Sequence, residues 1–386
     1  MKKICIVTGT RAEWGLLSGL AQALKKRDDV TLQIIATNTH LSPKFGNTYK
    51  EIEAAGFRID YKVPMPVESD TPNGTVTAMS QCMAGMANAF DVLRPDMLII
   101  LGDRYEMLST ASAALIYRIP IAHISGGATS EGAYDEAIRH SITKMSHIHL
   151  TETEEYRQRV IQLGEDPKRV FNTGSIGVYN IKHVDFMPKE ELEAELKTEI
   201  PEKSLLITFH PATLDSISPR VQCENLLNAL DEHSDYKVIF TYPNSDTDGR
   251  VIIEMIEDYA IRNPNRVAVF QSLGMRRYLS TLHYVAAEVG NSSSGIVEVP
   301  SIGIPTLNIG IRQRGRIAAE SVFTCGVTAG EISKGLDTVL STRMRELART
   351  VKNPYEQPDT INKMVKAICD TPLDGITLKK FYDLPK

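Results

Sequence analysis

What most limits the fold of this chain is an alternation that runs through its first half and starts again in its second. Short, nearly unbroken apolar runs alternate with longer stretches whose apolar residues recur at helical spacing. In the first half the runs are "KICIVTG", "TLQIIAT", "FRIDYKV", "DMLIILG", "IPIAHIS" and "HIHLTET". A strand covered on both faces reads as such a run, whereas a half-exposed strand alternates apolar and polar residues. The intervening stretches, 12–26, 46–55, 75–93, 105–117, 135–145 and 155–163, read as helices. Strand and helix in regular succession predict a doubly wound parallel sheet. After residue 200 the pattern restarts with "KSLLITFH", a helix over 225–233, "YKVIFTY", a helix over 248–262, then "RVAVFQS", "HYVAAEVG" and "IPTLNIG". With 386 residues the chain is long enough for two cores. The expected fold is therefore α/β, with two Rossmann-like domains facing a cleft. The first domain is expected over 1–175 and the second over 200–370. The boundary falls within 173–202, where "FMPKEELEAELKTEIPEK" reads as a charged, solvated connector. For the last segment, 371–386, a return to the first domain is the natural course in such folds.

Composition enters mainly by exclusion. The formal net charge of −5 argues against a general nucleic-acid or anionic-membrane binder. It leaves room for a small anionic ligand, which needs only an arginine and a few backbone N–H groups. No run approaches the ~18 apolar residues of a transmembrane helix, and the first apolar run is too short for the core of a signal peptide. Cys5, Cys82, Cys223, Cys325 and Cys369 are scattered, odd in number and without a CxxC pair. A reduced, cytoplasmic protein without disulfides or structural zinc is the expectation.

In open parallel sheets, ligands sit beyond the carboxyl ends of the strands, so the strand ends are where function is expected. "TGTRAE" lacks both the dinucleotide glycine pattern and the P-loop lysine; Arg11 either reaches a base or phosphate or is simply exposed at a helix start. In "GDRYE", Asp103 is either the cap of the next helix or a catalytic carboxylate with Arg104 beside it. "GNSSSGIVE" places Ser292 and Ser293 where they either cap a helix or bind phosphate. Glu298, further along, either meets a ribose or is solvated. "GIRQRGR" brings Arg312, Arg314 and Arg316 to a strand end, which suits a pyrophosphate. "FHPAT" puts His210 at the mouth of the second domain's first strand, as a structural or a catalytic histidine. "HISGGATSEGAYDEAIRH" is the densest: Glu131, Asp135, Glu136, Arg139 and His140 follow a Gly-Gly turn.

Taken in order, "TGTRAE", "LGDRYEML", "GAYDEAIRHSITKMSH", "FHPAT", "VGNSSSGIVE" and "RQRGR" resemble the hydrolysing UDP-N-acetylglucosamine 2-epimerases of bacterial sialic acid synthesis. The likeness runs to about residue 325, and the "GDR" triplet sets it apart from the non-hydrolysing enzymes, which typically carry Gly-Asp-Thr there. The resemblance implies a glycosyltransferase-B type fold and a homodimer or homotetramer. It also implies catalytic roles for Asp103, Asp135 and His210, and UDP contacts for Arg11, Ser292, Ser293, Glu298 and Arg312. Arg104, Arg139 and His140 are expected on the substrate side, orienting or neutralising the carboxylates. One departure stands out. Some members carry a catalytic Glu where this chain has Ser125, and others carry it where this chain has Ala128.

The implied reaction takes UDP-N-acetylglucosamine and water to UDP and N-acetylmannosamine. As UDP departs, oxocarbenium character at carbon-1 makes the carbon-2 proton removable, and water then adds across the resulting glycal. Arginines and N–H groups stabilise the leaving pyrophosphate, and carboxylates move the protons. The chemistry needs no metal or other cofactor. The same chemistry on UDP-2,4-diacetamido-2,4,6-trideoxyglucose is the alternative, because the motifs read UDP rather than the sugar. A non-catalytic nucleotide-sugar binding protein is the contrasting class. For the missing Glu the expected substitute is Glu131. Gly126, Gly127 and Gly132 on either side would let the loop turn it toward the cleft, where poorer solvation would suit it to acid/base work.

Overall fold

The computed structural model describes residues 1–67, 69, 71–243 and 248–384. The chain divides into two compact units. The first comprises Met1–Ala128, Asp135–Asn180 and the chain from Tyr355 onward; the second comprises Thr129–Tyr134 and Ile181–Pro354.

The first unit is built on a parallel sheet of β1 (Lys2–Thr8), β2 (Val30–Thr37), β3 (Tyr61–Val63), β4 (Met97–Leu101), β5 (Ile121–Ile124), β6 (Ile148–Thr151) and β7 (Val170–Asn172), in the order β3-β2-β1-β4-β5-β6-β7. The second has β8 (Ser204–Thr208), β9 (Lys237–Thr241), β10 (Val267–Phe270), β11 (Ala287–Gly290), β12 (Thr306–Ile309) and β13 (Val322–Cys325), in the order β10-β9-β8-β11-β12-β13. Every paired strand runs parallel to its neighbour. Within each unit the winding reverses between two adjacent strands, β1 and β4 in the first and β8 and β11 in the second.

The unbroken apolar runs become strands buried on both faces. Ile4, Ile6, Ile99, Leu101 and Ile124 pack with Leu17, Leu20 and Leu24 of the helix Arg11–Lys25, each large side chain contributing about 1.5–3 kcal/mol of burial. Thr10 caps that helix by accepting from the Glu13 N–H, while Glu13 reaches back to the Thr10 N–H.

Several sequence expectations need correction. The helix Thr360–Asp370 was expected in the second domain. It lies in the first unit, because its apolar face (Ile361, Met364, Val365 and Ile368) joins the core beside the helix Arg11–Lys25. The charged stretch near 186–203 is not a solvated connector. Its helix Lys189–Leu196 is charged outward, but Met187, Leu192, Leu196 and Ile200 pack against Leu206 and Ile239 of the second unit. "HYVAAEVG" is not one strand either: a helix continues through Tyr284 and the strand begins at Ala287. The strands β7 and β13 were not foreseen; both are short and lie at sheet edges, where little apolar patterning is needed. The five cysteines are free thiols. Among the described residues no helix is long and apolar enough to cross a membrane.

Candidate functional site

In the first unit the strand reversal brings the ends of β1 and β4 side by side, close enough that an added Cβ on Gly9 would fall 2.6 Å from Glu106 Oε1. The N-cap position of the following helix, Tyr105–Ile116, is Arg104, so Asp103 does not occupy it. Asp103 instead forms a close ion pair with Nη2 of Arg139. The Arg139 side chain is only 1% exposed, and its Nη1 donates to Glu136 Oε2 at 2.9 Å and to the Ala128 carbonyl at 3.0 Å. Burial alone would disfavour the guanidinium charge. The Asp103 and Glu136 carboxylates overcome this and hold the Arg139 pKa above its ordinary value. One buried arginine thus fixes an aspartate beyond β4, a glutamate on the helix Asp135–Met145 and the loop beyond β5. Asp135 opens that helix, and His140 Nε2 lies 3.1 Å from Glu136 Oε1.

A second charged group lies beneath. Arg104 Nε donates to Glu106 Oε1 at 2.9 Å, and Glu106 is fully buried. Glu13 lies near it and accepts from the Gly9 and Thr10 N–H groups at 2.6 and 3.1 Å. Burial, then the Glu106 charge, pushes the Glu13 pKa up to about 8. Arg11 is held by Glu51, with Nε and Nη2 at 2.8 and 2.7 Å from its two carboxylate oxygens.

Beyond β5 the chain turns sharply. Ser125 has φ +65°, a left-handed conformation unusual for a residue with a side chain, and Gly127 follows with φ +81°. Ser125 Oγ donates to Glu152 Oε1 at 3.1 Å. Glu152, just past β6, was not singled out from the sequence. It directly follows the run "HIHLT", and only the β5–β6 pairing brings it to Ser125.

The loop Thr129–Tyr134 packs with the second unit. Glu131 N–H donates to the Arg314 carbonyl at 3.3 Å, and Arg316 Nε donates to the Thr129 carbonyl at 3.0 Å. Gly132 lies so close to Ile311 that an added Cβ would fall 2.6 Å from its carbonyl oxygen. Glu131 itself is exposed. The residue is therefore not buried as expected, and its Oε1 lies close to Gly315, where an added Cβ would fall 2.9 Å from it.

In the second unit β8 and β11 meet at the reversal. His210 N–H donates to Asn291 Oδ1 at 2.7 Å, and Asn291 Nδ2 donates back to the His210 carbonyl at 2.8 Å. Arg312 Nη1 and Gln313 Nε2 converge on the Asn291 carbonyl at 3.2 and 2.8 Å. Ser292 caps the short helix Ser293–Val297, and Ser293 is exposed. Glu298 sits at the junction with the next helix, Val299–Ile302. The structure thus gathers Asp103, Asp135, Arg139 and His140 at one strand-end edge of the first unit. It gathers His210, Ser292, Ser293, Glu298 and Arg312 at the corresponding edge of the second.

Comparison with known proteins agrees with this architecture. The family model for UDP-N-acetylglucosamine 2-epimerase matches residues 22–369. The chain is 41% identical to a GDP/UDP-N,N'-diacetylbacillosamine 2-epimerase (hydrolyzing) of Campylobacter jejuni over 99% of both chains. It is 36% identical to the polysialic acid biosynthesis protein P7 of Escherichia coli, over 100% of this chain and 98% of that one. A UDP-N,N'-diacetylbacillosamine 2-epimerase (hydrolyzing) of Legionella pneumophila is 33% identical over 88% of this chain and 89% of its own. Among solved structures, the UDP co-structure of MnaA from S. aureus superposes with a TM-score of 0.79 at 18% identity, over 100% of both chains. The UDP-GlcNAc-bound 2-epimerase of Neisseria meningitidis gives 0.78 at 17% identity, over 96% of this chain and all of that one. At that identity the structures speak for the glycosyltransferase-B type fold alone. The sequence relatives and the family model go further: the chain belongs to the UDP-N-acetylglucosamine 2-epimerase family, among its hydrolysing members.

Proposed function

We propose that this chain hydrolyses a UDP-linked 2-acetamido sugar with inversion at carbon-2, releasing UDP and the free 2-epimer. The observation that carries this reading is Arg139, buried and bonded at once to Asp103, Glu136 and the Ala128 carbonyl. Such a clamp holds carboxylates in fixed positions beyond the strand ends, which general acid/base chemistry requires. Elimination breaks the bond from carbon-1 to the UDP oxygen, and the electron pair leaves with UDP. The carbon-2 hydrogen departs as a proton, and its bonding pair forms the carbon-1 to carbon-2 double bond. Hydration then returns a proton to carbon-2 from the opposite face, while the water oxygen bonds to carbon-1 and gives up its second proton to a base. Asp103 and Asp135 are the proposed proton-handling carboxylates, with Arg104, Arg139 and His140 setting their charge and orientation. In the second unit, Arg312 and the hydroxyls of Ser292 and Ser293 are proposed to hold the pyrophosphate, with Glu298 on the ribose. His210 is held by Asn291 for a part in the same reaction, and Arg11 adds charge for the nucleotide.

For the sugar we propose the 2,4-diacetamido-2,4,6-trideoxy form, which the sequence analysis held as the alternative. Its support is that relatives at 41% and 33% identity are diacetylbacillosamine 2-epimerases. N-acetylglucosamine is the second reading, supported by the 36% identical polysialic acid protein and by a UDP-N-acetylglucosamine 2-epimerase at 32%. The test is incubation with each UDP-sugar in deuterated water, reading UDP release and deuterium at carbon-2. Faster turnover of the diacetamido sugar, with deuterium incorporated, is expected. No UDP from either sugar would overturn the proposal.

A further inference from the structure

The reaction proposed above needs several proton-handling groups, and the turn beyond β5 presents an uncharged, partly buried Ser125 near Asp103. The structure shows a carboxylate at that spot nonetheless. β5 and β6 are parallel neighbours, with His123 opposite His149 and Ile124 opposite Leu150. The Ser125 N–H continues the ladder by donating to the Leu150 carbonyl at 2.9 Å. That register sets Ser125 level with Thr151, the last residue of β6, and Glu152 is the residue that follows. Its side chain is largely covered at 6% exposure, and its Oε1 accepts the Ser125 hydroxyl at 3.1 Å.

Three features separate this pair from a casual side-chain contact. Ser125 is held at φ +65°, a conformation that costs an L-residue roughly 1–2 kcal/mol and that turns its Cβ away from the strand direction. The two residues after it are glycines packed against the rest of the unit: a Cβ on Gly126 would fall 3.0 Å from Thr143 Oγ1, and one on Gly127 would strike the Tyr156 carbonyl. The turn is therefore fixed from behind. The same turn is also tied to Asp103, because Arg139 bonds Asp103 and the Ala128 carbonyl together and His123 Nε2 lies 2.7 Å from the Gly102 carbonyl. Ser125 itself is only partly buried. A reachable hydroxyl with a covered carboxylate behind it thus sits at the strand-end edge that bears Asp103.

We propose that Glu152 is a positioning and proton-accepting residue that acts through Ser125, supplying a carboxylate behind the Ser125 hydroxyl. The inference rests on the hydrolysing 2-epimerase reading above. The step it serves is the addition of water to the glycal. As the water oxygen bonds to carbon-1, one water proton passes to Ser125 Oγ and the Ser125 hydroxyl proton passes to Glu152. The double-bond electron pair takes a proton at carbon-2 from a separate carboxyl group. Serine ends the step as it began, and Glu152 ends it protonated, losing that proton to solvent before the next turnover.

The test follows UDP and the sugar product separately in wild type, Ser125→Ala, Glu152→Gln, the double variant Ser125→Ala/Glu152→Gln, and Ser125→Glu/Glu152→Gln. UDP affinity, measured by calorimetry, checks that each variant is folded. Each single variant is expected to form hydrated product about 10²-fold more slowly while still releasing UDP, so that the unsaturated 2-acetamidoglycal accumulates. The double variant should be no worse than either single one, because the two residues act as one unit. Ser125→Glu/Glu152→Gln should recover hydration, since it places a carboxylate at position 125 itself. A merely structural Glu152 would lower UDP release and hydration together and would not be rescued. Hydration within a few-fold of wild type in Glu152→Gln, or parallel loss of both products without rescue, overturns the inference while leaving the proposed function intact. A wild-type protein that releases no UDP overturns both.

Discussion

The two units share one sheet order and one kind of strand reversal, yet they line it with opposite kinds of group. At β1 and β4 the first unit gathers charges in compensated sets: Asp103 and Glu136 around Arg139, Glu106 on Arg104, and Glu51 on Arg11. At β8 and β11 the second unit has a neutral clamp, His210 with Asn291, and then serine hydroxyls and an arginine steadied by a backbone carbonyl. The topology offers the same position twice. Paired carboxylates suit moving protons, whereas N–H donors, hydroxyls and a cation suit holding a diphosphate. The division of labour proposed above would therefore come from what the strand ends carry, since the strand order is shared.

The sharpest way to break this comparison is Asp103→Asn. The change removes a charge while nearly keeping the shape, so turnover should fall about 10²–10⁴-fold with UDP affinity unchanged. A near wild-type rate would mean that the charges of the first unit are only structural. Next comes the buried acid of that unit. The Glu13 pKa is raised to about 8 in the fold, against about 4.3 for an unperturbed glutamate. A raised carboxylate pKa gives stability that is complete below the unfolded value and is lost as pH rises through the folded one. Urea midpoints should therefore fall as pH rises from about 4.3 toward the folded pKa of about 8. Glu13→Gln, which keeps an acceptor for the capping box, should flatten that slope; an equal slope in both proteins would place the titration elsewhere. On the second unit, Glu298→Ala should weaken UDP binding by about 1–3 kcal/mol, and calorimetry showing unchanged affinity would remove Glu298 from the nucleotide. The smallest effect is expected for Glu131→Gln. The carboxylate is exposed, so the rate should stay within a few-fold of wild type, and a large loss would return Glu131 to the chemistry.

Much of the fold was readable because strands buried on both faces leave continuous apolar runs, and most such runs became strands. What misled were features whose meaning depends on partners far away in sequence. "FMPKEELEAELKTEIPEK" reads as solvated because its charges outnumber its apolar residues. The few apolar ones nonetheless find a core in Leu206 and Ile239. Among the site residues, Asp103 and Arg139 stand out from the sequence by position, but nothing local says that they touch. The opposite holds for Glu131, which looks well placed between glycines and is an exposed residue in the fold.

The sequence by itself determined two parallel α/β units and strand ends rich in polar groups, in motifs that resemble those of the hydrolysing epimerases. These follow from periodicity and local motifs, which are properties of neighbouring residues. Only the tertiary structure decided that Arg139 joins Asp103 to Glu136, that Thr129–Tyr134 packs with the second unit, that the helix Thr360–Asp370 returns to the first, and that Glu152 stands behind Ser125. Each is a contact between segments separated in sequence, set by strand register and by which apolar face finds cover. A carboxylate's environment depends on what the fold packs against it, and no local pattern in the chain records that.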